Sequence, residues 1–216
     1  MRIAILLFDR FTALDAVGPY EVLSRLPETE VVFVGERTGP VTNEVGSLGL
    51  EVAATLDELP DPEVIVVPGG PGQTGQMTDG PVHEWLRCAD ATSVWTTSVC
   101  TGSLILAAAG LLKGRRAASH WLALDQLPSL GVQPSSGRVV SDGKYVTAAG
   151  VSSGIDMALT LAGRIAGDTF AQGIQLGIEY DPQPPYDAGA PDKAPAQVVA
   201  ALRSMSRFIL TGPHAA

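Results

Sequence analysis

The sequence has few residues that form cross-links or bind metals, with two cysteines and three histidines among 216 residues. Cys88 and Cys100 have neither the spacing of a C-x-x-C redox motif nor that of a zinc site. The histidines and acidic residues form no grouping at metal-ligand spacing. We therefore expect no disulfide framework and no metal site, and we expect Cys88 to be a small packing residue.

Positive charge is also scarce, because 14 Lys and Arg residues stand against 23 Asp and Glu residues and give a formal net charge of -9. This balance argues against binding to nucleic acid or to an anionic membrane. No apolar run has the length of a transmembrane helix, and Asp9-Arg10 interrupts the first run before it reaches signal-peptide length. We expect a cytoplasmic protein whose partner is a small, neutral molecule.

Apolar residues are plentiful, at 45% of the chain, which is enough to bury the core of one domain over residues 1–216. Short runs of branched apolar residues recur between helical segments, as is typical of parallel strands covered on both faces. The pattern predicts a three-layer α/β sandwich with a mainly parallel sheet. The predicted strands are 3–8, 31–35, 64–67 and 93–99, and the predicted hairpins are 41–56 and 138–147, the second with Asp142-Gly143 in a tight turn.

Proline, serine and aspartate indicate where the helices begin. Gly18-Pro19 predicts the start of the first crossover helix, which continues to Leu26, so that Asp15 falls just before it. The other predicted helices are a segment around 82–87, one capped by Ser152 or Ser153 and reaching Ile165, one capped by Asp168 and reaching about Glu179, and a last one beyond the proline-rich loop 181–195 that ends near Leu210.

Cys100 is the first candidate for chemistry, because it separates the extended run 93–99 from the helix-like run 101–109. A strand that turns at once into a helix holds its junction side chain exposed at the carboxyl edge of the sheet, as in a nucleophile elbow. The positive end of the helix dipole there favours the thiolate. We expect an exposed, reactive thiol, and the alternative is a buried apolar cysteine.

Four neighbouring candidates lie where open parallel sheets gather their ligand sites. Gly69 and Gly70 follow a predicted strand, and paired glycines let backbone N–H groups face a substrate in an oxyanion-type pocket; the alternative is a plain tight turn. Asp15 is a candidate proton carrier beside the thiol, or equally a helix-start aspartate. Thr101 places a hydroxyl and an N–H beside the nucleophile, and helix capping is its other role.

Further candidates come from the histidines and a tyrosine. His120 stands at a strand end and is in principle a base for Cys100, although a satisfied structural histidine fits the pattern better. His83 and His214 are expected at the surface. Tyr180 and Asp181 precede the irregular segment 182–185 and are candidates to close a pocket, with a loop anchor as the alternative.

Segments spread over nearly the whole chain share the motifs of one known family. They are 15–23, 68–70, 98–103, 107–112, 120–121, 149–156 and 178–185. These segments resemble the ThiJ/PfpI branch of the class I glutamine amidotransferase-like superfamily. The cysteine elbow is common to the whole superfamily, whereas Cys100-Thr101, the aspartate before Gly18-Pro19 and the Glu-Tyr-Asp-Pro sequence at 179–182 are more specific. The resemblance implies a flavodoxin-like sheet and a homodimer.

The resemblance also implies a hydro-lyase that adds water to a small, neutral isonitrile and gives the N-substituted formamide without metal or organic cofactor. Cys100 is then expected to form a thioimidate, with Asp15 as general acid and base. Thr101 and the Gly70 N–H are expected to position the substrate and to stabilise developing charge, beside Gly69 and Tyr180.

Departures from related groups narrow the choice of activity. Thr101 stands where peptidase relatives have histidine, and Asp15 is shorter than the glutamate that faces the cysteine in glyoxalase-like relatives. AraC-type regulators add a helix-turn-helix region, whereas only one helix fits beyond Pro195. Two alternatives stay open. One is a redox-sensing or small-molecule-binding protein in which Cys100 is oxidised or binds a metabolite, and the other is a hydratase of 2-oxoaldehydes.

Overall fold

The computed structural model of the chain describes residues 1–206. Its strands are β1 (Arg2–Leu6), β2 (Glu30–Gly35), β3 (Gly39–Thr42), β4 (Gly49–Val52), β5 (Ala54–Thr55), β6 (Val64–Val67), β7 (Trp95–Ser98), β8 (Arg116–Ala117), β9 (Gln133–Pro134), β10 (Val139–Asp142) and β11 (Tyr145–Ala148). Its helices are α1 (Ala13–Leu23), α2 (Pro81–Thr92), α3 (Gly102–Ala108), α4 (Ser153–Ala166), α5 (Asp168–Gly177) and α6 (Ala196–Ser204), with 3₁₀ turns at Pro71–Gln76 and Leu124–Leu130. His214 and the predicted helix end near Leu210 lie outside the described residues.

A seven-stranded sheet in the order β10-β11-β7-β6-β1-β2-β5 forms the centre of the fold. Its neighbouring strands are parallel, except that β10 runs antiparallel to β11 at one edge. All four residues of β6 are buried, as continuous branched apolar runs predict for a central parallel strand. The predicted mainly parallel, flavodoxin-like α/β fold is confirmed. Among the described helices, none has the length and apolar character needed to cross a membrane.

Both predicted hairpins form, with one difference in a turn. β3 pairs antiparallel with β4, and β10 with β11. In the second hairpin Asp142 pairs with Tyr145, so that Gly143 and Lys144 form the turn and Asp142 ends the strand. Gly143 has φ 62°, a conformation that glycine adopts without strain. The predicted Asp-Gly turn is therefore placed one residue too early.

The first helix begins earlier than predicted. α1 begins at Ala13, after Thr12 in an extended conformation, and Pro19 lies inside the helix instead of starting it. Proline lacks the N–H that would bond the carbonyl of Asp15, but packing of α1 against α4 stabilises the helix despite this loss. Asp15 therefore lies in the first helical turn, where its N–H donates to the Thr12 carbonyl at 3.0 Å.

The helix predicted around 82–87 is confirmed as part of α2, but two side chains lie on unexpected faces. His83 is buried, not at the surface, and its Nε2 lies 2.7 Å from the carbonyl oxygen of Gln76. Cys88 is exposed and is not a packing residue. α2 directs Val82, Leu86 and their helical neighbours into the core, and this phase places position 83 on the inner face and position 88 outside.

The two long helices near the carboxyl end confirm the prediction closely. α4 begins at Ser153 after Ser152, although neither serine makes a side-chain cap hydrogen bond to the helix start. Asp168 is the first residue of α5, and the capping position belongs to Gly167. Residues 181–195 form an irregular loop before α6.

Gly102 at the start of α3 is a position where the fold leaves no room for a side chain. A Cβ there would overlap the carbonyl oxygen of Val67 and lie 2.8 Å from that of Pro68. We expect Gly102→Ala to lower the free energy of unfolding by about 1–3 kcal/mol, because the β6 backbone must move. Gly173→Ala is the matched control, since a Cβ at this helical position meets nothing within 4 Å. We expect that change to be neutral or to stabilise by up to about 1 kcal/mol. Chemical denaturation of both variants measures the difference, and equal stabilities would contradict the proposed crowding.

Candidate active site

Cys100 lies between β7 and α3, as the strand-to-helix pattern predicts, and it has φ 58°. This conformation is strained for a non-glycine residue and marks a sharp turn of the kind that a nucleophile elbow requires. The Cys100 N–H donates to the carbonyl of Ala149 at 2.8 Å. The side chain is completely buried, so the expected exposure of the thiol is wrong.

The charge state expected for Cys100 is also wrong. Burial raises the pKa of the thiol well above its usual range, and the nearby Asp15 charge raises it further. Hydrogen bonds from the N–H groups of Val151 and Thr101 lower the pKa, but they do not outweigh burial. α3 has only seven residues, and its dipole is no match for the loss of water around the sulfur. Cys100 is therefore a neutral thiol at rest.

Asp15 reaches the thiol from the first turn of α1. Its Oδ2 accepts the Gly69 N–H at 2.8 Å, while Oδ1 is buried and accepts no conventional hydrogen bond within the described residues. Burial raises the pKa of this carboxyl group to about 7, against the lowering effect of the Gly69 N–H and the Cys100 side chain, and Glu44 raises it slightly more. Asp15 is thus poised to gain or lose a proton near neutral pH, with the Cys100 thiol as its neighbour.

The glycine loop after β6 contacts both reactive segments. The Gly70 N–H donates to the Thr101 hydroxyl at 3.0 Å. A Cβ at Gly69 would lie 2.5 Å from the backbone N and from Oγ1 of Thr101. The loop is therefore a close backbone approach to the start of α3, and only glycine fits at Gly69. The Thr101 hydroxyl makes no cap hydrogen bond to α3, so capping is not its role.

The oxyanion pocket expected at these glycines has its donors already in use. The Gly69 N–H is bonded to Asp15, and the Gly70 N–H is bonded to Thr101. The structure thus brings Cys100, Asp15, Thr101, Gly69 and Gly70 into one buried cluster. Whether they bind substrate stays a prediction.

Tyr180 is held by other residues. Its hydroxyl donates to Asp156 Oδ1 at 3.3 Å, in the first turn of α4, and Arg138 donates to the other oxygen of Asp156 at 2.5 Å. Arg138 also donates to the Ser152 hydroxyl at 3.2 Å. The hydrogen bond from Tyr180 to Asp156 anchors the segment after α5 to the start of α4. The start of α4 is close in sequence to Val151, whose N–H contacts the thiol of Cys100. Asp181 is exposed and does not contribute to this anchor.

His120 is a neutral, packed residue. Burial lowers its pKa to about 4, and its Nδ1 accepts the Leu122 N–H at 3.2 Å. Its ring lies against Gly150, where a Cβ would come within 2.8 Å of Cδ2. The ionisable group that acts on Cys100 is Asp15, which favours the structural role for His120.

Sequence reasoning missed two residues of the site. Val151 has φ 30°, and its N–H bonds the Cys100 sulfur, but a valine in a loop carries no sequence signal for this role. Glu44 acts on Asp15 from the β3–β4 hairpin, and only the three-dimensional docking of that hairpin brings them together. No group of three or more histidine, cysteine or acidic side chains in residues 1–206 is arranged to hold a metal ion.

Comparisons with known proteins agree on one family. The DJ-1/PfpI family matches residues 1–164. The isonitrile hydratase of Pseudomonas putida is 46% identical over 92% of this chain and 87% of its own length. The crystal structure of a ThiJ/PfpI family protein from Pseudomonas syringae superposes with a TM-score of 0.91 at 37% identity, and covers 94% of this chain and 85% of that chain. The HTH-type transcriptional regulator CdhR of Pseudomonas aeruginosa is 33% identical over 67% of this chain but only 41% of its own length.

The buried carboxyl group of Asp15 predicts a pH-dependent stability. The pKa of this group is 3.8 when unperturbed and about 7 in the fold. Its contribution to the free energy of unfolding is therefore fully present below pH 3.8 and is lost as pH rises from there through about 7. The difference between these two pKa values corresponds to roughly 4 kcal/mol of stability at most. We expect Asp15→Asn to remove this dependence. Urea denaturation of both proteins across this pH range measures it, and parallel stability curves would rule out a raised pKa.

Proposed function

The chain belongs to the DJ-1/PfpI family, and from this premise we propose that it is a hydro-lyase that converts isonitriles to N-substituted formamides through a covalent bond to Cys100. The substrate class is suggested by the similarity to the isonitrile hydratase of Pseudomonas putida. The observation that carries the chemistry is the buried pairing of the Cys100 thiol with the Asp15 carboxyl group, whose pKa is about 7.

The first step is addition of the thiol across the isonitrile carbon. The Cys100 S–H proton passes to the Asp15 carboxylate as sulfur bonds the carbon, and Asp15 then gives this proton to the same carbon. The product is a thioimidate, Cys–S–CH=N–R, and no atom is lost. Asp15 suits this transfer because its pKa lies near neutral pH, where a group both accepts and donates protons readily.

The second step is hydrolysis of the thioimidate. Asp15, again ionised, accepts a proton from the attacking water and passes it to the nitrogen as water adds to the C=N bond. Collapse of the tetrahedral adduct breaks the C–S bond, moves the proton of its hydroxyl group to the Cys100 sulfur by way of Asp15, and releases R–NH–CHO. Covalent catalysis thus divides one difficult hydration into two easier additions.

The remaining cluster residues are assigned to positioning. Thr101 is held by the Gly70 N–H, and Asp15 by the Gly69 N–H, so the glycine loop fixes both side chains beside the sulfur. Tyr180, through Asp156, is assigned to the edge of the pocket at the start of α4. The family resemblance further leads us to propose a homodimer, and the features of the sequence lead us to propose a single domain and a cytoplasmic location.

Replacement of the nucleophile tests the covalent scheme. We expect wild-type protein to convert cyclohexyl isocyanide steadily to N-cyclohexylformamide, and Cys100→Ala to abolish the product. Cys88→Ala is the matched control, because this thiol is exposed and outside the site, and we expect full activity. Chromatography of the formamide gives the rate. One equivalent of adduct without turnover would instead indicate a sensor, and lactate formed from methylglyoxal would indicate a 2-oxoaldehyde hydratase.

Replacement of the proton carrier tests the role of Asp15. We expect Asp15→Asn to lower kcat by about 10²–10⁴-fold with a smaller change in KM, since the amide cannot accept the thiol proton. In the wild type the reactive form has Asp15 ionised, so kcat/KM is expected to fall as pH drops below about 7. Steady-state kinetics over pH measures both effects. A wild-type rate in Asp15→Asn would remove this residue from the mechanism.

A further inference from the structure

The β3–β4 hairpin brings a second carboxyl group to the start of α1. The Oε1 of Glu44 accepts the Thr12 hydroxyl at 3.0 Å. Thr12 is the residue that precedes α1, and its carbonyl accepts the N–H of Asp15 at 3.0 Å. One threonine therefore contacts both Glu44, through its hydroxyl, and Asp15, through its backbone.

The position of Glu44 is set by backbone contacts as well as by its side chain. The Arg10 N–H donates to the Thr42 carbonyl at 2.9 Å, and the Glu44 N–H donates to the Phe11 carbonyl at 3.0 Å. Phe11 and Asn43 form a parallel bridge between these contacts. The hairpin is therefore docked along the segment that leads into α1 by backbone contacts. We expect a neutral side chain at position 44 to keep this docking, because these contacts do not involve the side chain.

We propose that Glu44 is a positioning residue for the Asp15–Cys100 pair, and that its negative charge, held at the start of α1 by Thr12, raises the pH at which Asp15 ionises. The effect on Asp15 is a property of the fold alone. Its consequence for catalysis rests on the function proposed above.

The groups around Asp15 determine the sign of this effect. The β7–α3 turn contributes Cys100, the loop after β6 contributes the Gly69 N–H, and the hairpin contributes Glu44. α4 also packs against α1, but within residues 1–206 it contributes no charged group that acts on Asp15. The Gly69 and Cys100 contacts lower the pKa of Asp15, whereas Glu44 acts in the same direction as burial and raises it.

The hydrogen bond between Thr12 and Glu44 does not need a charge on the side chain at position 44. The Thr12 hydroxyl needs one acceptor, and the amide oxygen of glutamine supplies one as well as a carboxylate does. A carboxylate near a second carboxyl group disfavours ionisation of the pair, which an amide does not. Glu44→Gln therefore separates the electrostatic effect from the hydrogen bond.

The first experiment measures Asp15 without reference to any substrate. Carbon-13 NMR of labelled aspartate carboxyl groups, with Asp15→Asn to assign the signal, follows the titration of Asp15 in the full-length protein. We expect Glu44→Gln to move the midpoint toward acid by a fraction of a pH unit. Glu51→Gln is the matched control, because it removes the same charge from β4 of the same hairpin at an exposed position, and it should leave the midpoint unchanged.

The second experiment follows the reaction. We expect the acid limb of kcat/KM for cyclohexyl isocyanide to move toward acid together with the NMR midpoint in Glu44→Gln. A purely structural role would lower the rate at all pH values instead. If the wild type shows no turnover but the NMR midpoint moves, the proposed function fails while the role of Glu44 in Asp15 ionisation stands.

An unmoved NMR midpoint in folded Glu44→Gln overturns the proposal, and so does an equal shift in Glu51→Gln. If Glu44→Gln does not fold, Thr12→Val replaces it, since this change keeps both carboxyl groups and removes only the tether. We expect Thr12→Val to move the NMR midpoint toward acid by less than Glu44→Gln would. An unmoved midpoint in folded Thr12→Val overturns the proposal in that case.

Discussion

Asp15 and Cys100 face each other without contact with water, and this shared desolvation controls the chemistry of the site. Burial raises the pKa of both groups, so near neutral pH the sulfur keeps its proton while the Asp15 carboxyl group gains or loses one. Ionisation of both groups together is opposed by burial and by repulsion. The pair therefore keeps at least one proton near neutral pH, and the proton on Asp15 is the one that is exchanged.

The fold creates this pair by bringing the carboxyl ends of adjacent parallel strands to one edge of the sheet. β1 leads into α1 and Asp15, β6 leads into Gly69 and Gly70, and β7 leads into Cys100. β6 lies between β1 and β7 in the sheet. The glycine loop after β6 therefore lies between the segments that carry Asp15 and Cys100, and it donates hydrogen bonds to Asp15 and to Thr101. A larger residue at Gly69 would force the loop away from Thr101, so the lack of a side chain there keeps the cluster closed.

Much of this arrangement could be predicted because its signals are local. A continuous apolar run identified β6, and the order of strand, cysteine, glycine and helix placed Cys100 at its turn. The burial of Cys100 could not be predicted, since the contact at its sulfur comes from Val151, more than one element away along the chain. The same holds for Glu44, which reaches Asp15 only after the hairpin docks on the segment before α1. Proline at position 19 misled the prediction for α1, because packing against α4 outweighs one lost hydrogen bond.

The hydrogen bonds of the glycine loop favour addition to an isonitrile over attack on a carbonyl. Attack on a carbonyl builds negative charge on oxygen, which needs backbone donors free to receive it. In this structure the N–H groups of Gly69 and Gly70 already donate to Asp15 and Thr101. Addition of a thiol to an isonitrile instead ends with the proton on carbon, so its first step forms no oxyanion and needs a proton carrier, which is the role proposed for Asp15.

Burial of the pair also restricts the charge of a substrate. Cys100 and Asp15 are both fully buried, so a substrate reaches them only as covering groups move aside, and it leaves its own water behind. An anionic substrate would lose hydration and would also face the Asp15 carboxylate. A neutral, narrow isonitrile group loses little hydration on entry and meets no such repulsion. The same desolvation that raises the pKa of the pair thus disfavours an anionic reactant.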